Sequence, residues 1–247
     1  MIRAALLALG LGAAGTTAAA VDCESVDFDG ATYTVCEVDA ARDDLRLFLR
    51  NEDGAVYGQF FAIDRALAQN GERLVFAMNA GMYHDDRAPV GHYVEDGVEQ
   101  MRVIPNAGPG NFGLLPNGVF CLREDRADVI ETLAYVARAP GCRDATQSGP
   151  MLVTDGELHP RFLADSTSLY IRNGVGTSAD GQRVVFAISD DPVNFHSFGR
   201  LFRDALQLPN ALFLDGNISR LYAPSIRRND LGFRLGPIVG VVSPVAE

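Results

Sequence analysis

Tight-turn signatures recur along this chain at short intervals, and they restrict much of what lies between them to strand length. Glu95-Asp96-Gly97, Pro116-Asn117-Gly118, Thr154-Asp155-Gly156 and Ala179-Asp180-Gly181 each adjoin short apolar or alternating segments. Asp and Asn bond back onto their own main chain in such turns, and Gly supplies the backbone angles that side chains resist. Ala31–Val38 and Leu45–Leu49 alternate and are predicted strands, and Arg73–Met78 is predicted as a short buried strand. Hairpins are predicted across 93–98, across 112–122 around Pro116-Asn117-Gly118, and from 150–153 into its Asp155-Gly156 turn. Strands are further expected at 183–188, 211–214 and 237–242. Helical spacing appears twice. Phe60, Ile63 and Leu67 mark a helix over 59–69 that Gly71 ends, and Phe195, Phe198, Leu201 and Phe202 mark another that Pro209 stops. Many short strands and two helices give an α+β fold, with a mixed, mostly antiparallel sheet core and a few helices.

The chain has 247 residues and 47% apolar content, which fits an ordinary globular fold. Residues 1–20 differ from the rest. Arg3 precedes an apolar run shorter than a membrane span, and Ala18-Ala19-Ala20 offers small residues for cleavage, so the segment reads as a secretory signal peptide. Residues 21–247 show no linker or repeat and read as a single domain, exported to the periplasm or the medium, with no membrane span once the leader is gone. The formal charge of −11 argues against nucleic acid as a partner, which requires a basic surface. A small anion remains compatible, because a local arginine reverses the field in a cleft. Four cysteines in an exported chain favour disulfides. Of the three possible connectivities, sequence proximity favours Cys23–Cys36 with Cys121–Cys142.

Two apolar runs end in polar residues beside glycine: Met78-Asn79-Ala80-Gly81-Met82-Tyr83 and Leu214-Asp215-Gly216-Asn217. A buried strand holds the residue that follows it rigidly, which makes Asn79 and Asp215 candidate site residues; Asp215-Gly216 reads equally as a plain turn. Gln147-Ser148-Gly149-Pro150 places two hydrogen-bonding side chains before a strand, and reads also as a simple turn. Arg172-Asn173-Gly174 follows apolar Leu169-Tyr170-Ile171. An arginine at the end of such a buried strand needs an anion, either a structural carboxylate or a substrate phosphate. Of Asp190 and Asp191, one is expected to cap the helix near Phe195. His92 is the histidine best placed for proton transfer, with a buried hydrogen-bonded ring as the other reading. No metal motif, phosphate-binding loop, dinucleotide loop or serine elbow is present, so no cofactor is implied.

Asn79-Ala80-Gly81-Met82-Tyr83, Gln147-Ser148-Gly149-Pro150, Arg172-Asn173-Gly174-Val175-Gly176 and Leu214-Asp215-Gly216 together resemble the phosphodiester glycosidase family. The similarity is greatest to its bacterial relatives of the N-acetylglucosamine-1-phosphodiester α-N-acetylglucosaminidase. Gly110-Asn111-Phe112, Pro116-Asn117-Gly118 and Pro209-Asn210-Ala211-Leu212 extend the resemblance over roughly 45–242. One departure stands out. The family's lysosomal enzyme carries Asp-Gly-Gly-Gly-Ser where this chain has Asp215-Gly216-Asn217-Ile218-Ser219, and the bulk of Ile218 is expected to narrow or reshape the pocket.

The resemblance implies cleavage of a sugar-1-phosphodiester, or of a cell-envelope glycan carrying one, at the anomeric C–O bond. The leaving phosphate needs a cation more than an acid, and the anomeric carbon needs a carboxylate. Asp215 is then expected as nucleophile or general base, Arg172 as the phosphate cation and His92 as a proton-transfer aid. Asn79, Tyr83, Gln147, Ser148, Asn173 and Gly216 are expected to bind substrate. Two alternatives stand beside this. One is a metal-dependent phosphodiesterase with a divalent cation on Asp190, Asp191 and Asp215. The other is a non-catalytic glycan-binding protein, which the absence of tryptophan disfavours.

Overall fold

The computed structural model describes residues 21–215 and 218–245; the leader expected over 1–20 and the candidate Gly216 lie outside them. Strands β1 (Asp22–Phe28) and β2 (Ala31–Asp39) form an N-terminal hairpin followed by β3 (Asp44–Phe48). Helix α1 (Phe60–Ala68) leads into β4 (Glu72–Asn79). Strands β5 (Tyr93–Glu95), β6 (Val98–Met101), β7 (Gly118–Leu122) and β8 (Ala127–Glu131) precede α2 (Thr132–Arg138). Strands β9 (Asp144–Ser148), β10 (Met151–Thr154), β11 (Glu157–Leu158), β12 (Asn173–Thr177) and β13 (Arg183–Ser189) lead to α3 (Phe195–Arg200). Strands β14 (Asn210–Phe213), β15 (Leu221–Ala223), β16 (Arg228–Asn229) and β17 (Ile238–Pro244) complete the order.

The strands form a seven-stranded sheet, β1-β2-β13-β12-β14-β10-β11, and two five-stranded sheets, β16-β15-β4-β17-β3 and β6-β5-β9-β7-β8. The neighbouring pairs are antiparallel, so the expected α+β class with a mostly antiparallel core is what the chain adopts. The three sheets meet on one apolar cluster that includes Phe76, Phe120 and Phe186. The Phe186 ring from the large sheet lies 4.9 Å from Phe76 and 5.9 Å from Phe120, which come from the other two.

Each sheet has a helix on its other face. Phe198 and Phe202 seal the large sheet against Tyr33, Val185 and Ala187. Phe60, Ile63 and Leu67 of α1 cover Leu74, Ala77 and Ile238. Tyr135 of α2 covers Val94, Val119 and Ala145. The glycines of Asn173-Gly174-Val175-Gly176 serve this packing. A Cβ on Gly176 would stand 2.7 Å from Leu208 Cδ1 and 2.9 Å from Phe202 Cδ1. The helix after Asn194 turns into a wider π-type turn over Leu201–Ala205. The disulfides are Cys23–Cys36 and Cys121–Cys142, the pairing that proximity favours.

Three local expectations fail for physical reasons. Phe112–Leu115 does not pair with Gly118–Leu122; β7 pairs with β8 and β9 instead. The Phe112 carbonyl accepts from Asn117 Nδ2 at 2.8 Å, and Gly108 N donates to Gly113 O at 3.2 Å, which folds the segment on itself. Leu169–Ile171 is exposed loop, so Arg172 precedes a strand and does not end one. The cap of α3 is Asn194, whose side chain accepts from Ser197 N at 2.8 Å. Asp190 instead pairs with Arg228 at 2.5 Å, and Asp191 accepts from Thr32 N at 2.9 Å.

Phe186→Ala removes the ring common to all three sheets and is expected to lower stability by about 3–5 kcal/mol, measured by urea unfolding. A second expectation concerns pH. Burial pushes the Glu95 carboxyl up to about 7, outweighing the bond it accepts from Tyr93 Oη at 3.0 Å. The unfolded chain ionises a glutamate near pH 4.3. Between there and about pH 7 the native state holds the extra proton, so this group makes stability fall as pH rises through that window. Glu95→Gln should remove that fall, seen as a smaller difference between thermal midpoints at about pH 5 and about pH 8.

Candidate active site

Strand ends from all three sheets come together around Asp215. Strand β4 ends at Asn79, β9 ends at Ser148, β12 begins at Asn173, and β14 runs out through Leu214 into Asp215. Ser148 Oγ donates to Leu214 O at 2.8 Å, and Leu214 N donates to Asn173 O at 3.2 Å. Asn173 Nδ2 donates to Asn79 O at 3.1 Å. Thr146 Oγ1 donates to Ala80 O at 2.7 Å. A Cβ on Gly81 would lie 2.7 Å from that hydroxyl, at a φ of +154°, so this close approach requires glycine. The carbonyls and amides that three sheets leave unpaired at their ends are thus satisfied by one another's side chains.

Asn79 reads the loop after Asp215 from three directions. Its Nδ2 donates to Ile218 O at 2.7 Å and reaches Asp215 Oδ2 at 3.4 Å, and its Oδ1 accepts from Arg220 N at 2.9 Å. Asp215 itself is only 7% exposed. Tyr83, half-buried, donates from its hydroxyl to Arg234 O at 3.3 Å. Burial first, and then the Asp215 charge, raises the Tyr83 phenol above its ordinary value, while Arg87 and Arg220 oppose the shift. The phenol is therefore a neutral donor at physiological pH. A carboxylate, an amide and a neutral phenol border one junction, and they can accept a proton or attack, orient a hydroxyl, and donate to a developing anion.

Four other expected residues bond to the scaffold. Gln147 Oε1 accepts from His92 N at 3.1 Å and Ile104 N at 2.9 Å, and its Nε2 donates to Ile104 O at 2.7 Å. Ser148 and Asn173 make the interstrand bonds given above. His92 is buried beneath α2, with Nδ1 3.0 Å from Met101 O and Nε2 2.9 Å from Tyr135 Oη. A carbonyl only accepts, so Nδ1 donates to Met101 O. Both ring nitrogens are occupied, and the ring has the character of a hydrogen-bonded core histidine.

Arg172 is also engaged elsewhere. Its Nε donates to Val193 O at 2.8 Å and its Nη2 to Ser168 O at 2.9 Å. The guanidinium lies 3.7 Å from the centroid of the Phe195 ring, with Tyr170 at 5.5 Å and Phe213 at 5.6 Å. Burial lowers its pKa to about 10, so it stays charged at neutral pH. Two carbonyls and aromatic faces surround this buried cation and compensate its charge. The Ile218 side chain, in the same loop as Asp215, packs against the α1 cluster.

Ser219 and Arg220 were not anticipated. Ser219 Oγ lies 3.1 Å from Ile171 O and 3.3 Å from Asn173 Oδ1. Arg220, only 4% exposed, donates to Asp230 O, Phe233 O and Gln59 Oε1. Both stand in the loop that leaves Asp215, four and five residues beyond it. Among the described residues no group of three or more His, Cys, Asp or Glu side chains gathers in a way that could hold a metal ion.

The sequence profile of the phosphodiester glycosidase family matches residues 72–234. The chain belongs to that family. It is 31% identical over 204 residues to YigE of Escherichia coli K12, an uncharacterized protein, covering 83% of this chain and 79% of the relative. The fold is shared with the catalytic domain of zebrafish N-acetylglucosamine-1-phosphodiester α-N-acetylglucosaminidase, solved in a form auto-inhibited by its pro-peptide. That match has TM-score 0.58 and 15% identity over 92% of this chain and 82% of that one. A hypothetical protein from Synechocystis has the same fold at TM-score 0.59 and 12% identity, over 90% of this chain and 62% of its own. A putative exported protein of Burkholderia pseudomallei K96243 matches at TM-score 0.53 and 12% identity, over 85% and 74%.

Arg172→Lys keeps a cation but loses the fork that holds two carbonyls at once. It is expected to cost about 1–3 kcal/mol and to loosen residues 161–171, read as faster hydrogen exchange and proteolytic nicking in that loop.

Proposed function

We propose that the protein is a hydrolase that cleaves sugar-1-phosphodiesters at the anomeric C–O bond, releasing a sugar and a phosphomonoester. The single observation that carries this reading is the Asp215 carboxylate, held at the junction of three sheets beside the Asn79 amide at 3.4 Å. Membership of the phosphodiester glycosidase family supports the reaction class.

In this reading Asp215 is oriented by Asn79 toward the anomeric carbon. The C1–O bond breaks with its electron pair passing to the phosphate oxygen, and the departing phosphomonoester needs little protonation because it is already a stable anion. Asp215 either forms a glycosyl ester that water then hydrolyses, or takes the proton of the attacking water. In both cases the water oxygen ends on C1. The Tyr83 phenol, kept protonated by burial and by Asp215, donates to an oxygen of the phosphate or the sugar. Asn79 and Tyr83 contact substrate, whereas Gln147, Ser148, Asn173 and Arg172 position the loops. His92 stabilises the sheet under α2. Two disulfides fit an oxidising compartment, and the protein is read as exported, acting on periplasmic or extracellular substrates. Among the described residues no helix is long and apolar enough to cross a membrane.

Asp215→Asn is expected to lower turnover of a sugar-1-phosphodiester by about 10³-fold or more while the thermal transition stays in place. Undiminished turnover in that variant defeats the assignment. Hydrolysis in ¹⁸O-water should place the label on the sugar; label in the phosphomonoester would instead mean P–O cleavage, and with it the phosphodiesterase alternative.

A further inference from the structure

A phosphodiester anion is matched best by a guanidinium, whose planar fork faces two oxygens at once. The two buried arginines nearest the junction, Arg172 and Arg220, are tied to main-chain carbonyls. Arg87 differs from both. It stands in the turn directly after the Asn79–Tyr83 segment, and its Cζ lies 5.2 Å from the Tyr83 ring centroid. Its Nη1 donates to Asp85 O at 2.8 Å, but its Nε is buried with no hydrogen-bond acceptor among the described residues. A buried donor left unpaired is costly, and a ligand oxygen would relieve it. The nearby Asp86 carboxylate is turned to another donor, Ala88 N at 2.9 Å.

The backbone holds Arg87 in place. Its φ is +72°, a left-handed conformation unfavourable to a long side chain. Arg87 N donates to His84 O at 2.8 Å and His84 N to Ala88 O at 2.9 Å, closing the turn. Strain of this kind persists where the surrounding structure enforces it, often beside a site. Arg87 lies over the ring of Tyr83, and Tyr83 is four residues along the chain from Asn79, whose amide reaches Asp215 at 3.4 Å.

We propose that Arg87 is the phosphate-binding cation of this site, taking the oxygens of a phosphodiester whose sugar carbon faces Asp215. The inference rests on the reaction class proposed above for its substrate, and its anion-binding half can be measured without turnover.

The test is titration calorimetry with inorganic phosphate on the whole protein, paired with steady-state kinetics on a sugar-1-phosphodiester. The variants are Arg87→Gly, which places glycine at a left-handed position that favours it, and Arg87→Lys, which keeps the charge and loses the fork. An unchanged thermal midpoint in Arg87→Gly shows that the turn is retained. The expected result is saturable phosphate binding by the wild type, weakened about tenfold or more in Arg87→Gly and less in Arg87→Lys, with KM rising in the same order. No saturable binding by the wild type, or affinity and KM within about twofold of it in Arg87→Gly, overturns the role of Arg87. A wild type that binds phosphate through Arg87 yet leaves sugar-1-phosphodiesters intact defeats the reaction and keeps the anion site. A wild type and an Arg87→Gly protein that turn over alike defeat the anion site and keep the reaction.

Discussion

The contact of the Phe186 ring with Phe76 and Phe120 fixes three antiparallel sheets against one another. Aromatic rings at these separations bury large areas and tolerate little sliding, because interiors pack at near-crystalline density. The rest of the architecture follows from that lock. Each sheet has one face committed to the shared cluster and covers the other with a helix. What the sheets cannot pair internally is the polar main chain at their strand ends, and those ends converge. The candidate site lies where the packing requirement is met and the hydrogen-bonding requirement is not.

This explains why so many polar side chains at the junction bind protein atoms. Ser148, Asn173 and Thr146 each donate to a carbonyl of a strand end or the residue beyond it, in a neighbouring segment. Such a network is expensive when half satisfied and rigid when complete. Rigidity at the strand ends sets the position of Asp215, while the loops beyond are held less directly. Arg172 supplies one such tether. Its charge is compensated by two carbonyls and the face of Phe195, and it fastens the exposed segment before β12.

Much of this was legible in the chain. The strands from Ala31, Leu45, Arg73 and Arg183 lie within about a residue of the observed elements at their starts, because alternation and β-branched residues mark them. Asn79 and Asp215 were marked as a pair by apolar runs ending beside glycine, and both disulfides followed from proximity. Side-chain roles were less legible. An apolar triplet such as Leu169-Tyr170-Ile171 looks the same whether it enters a core or lies exposed in a loop. Phe112–Leu115 has strand composition, but the side chain of Asn117 and the contact of Gly108 with Gly113 fold it back. Gln147 and His92 have the chemistry of a site and the surroundings of a core.

The sequence by itself determined the α+β class, most of the turn positions and the presence of a carboxylate just beyond a buried strand, and it favoured one cysteine pairing. These depend on local periodicity, on the stereochemistry of glycine and on chain proximity, all readable along one dimension. Only the tertiary structure decided which polar groups face which. Arg172 and Arg87 are alike as residues, yet one is held between carbonyls and an aromatic ring while the other keeps a buried donor beside Tyr83. That difference arises from contacts between segments far apart in the chain, and the pattern of residues within each segment does not encode it.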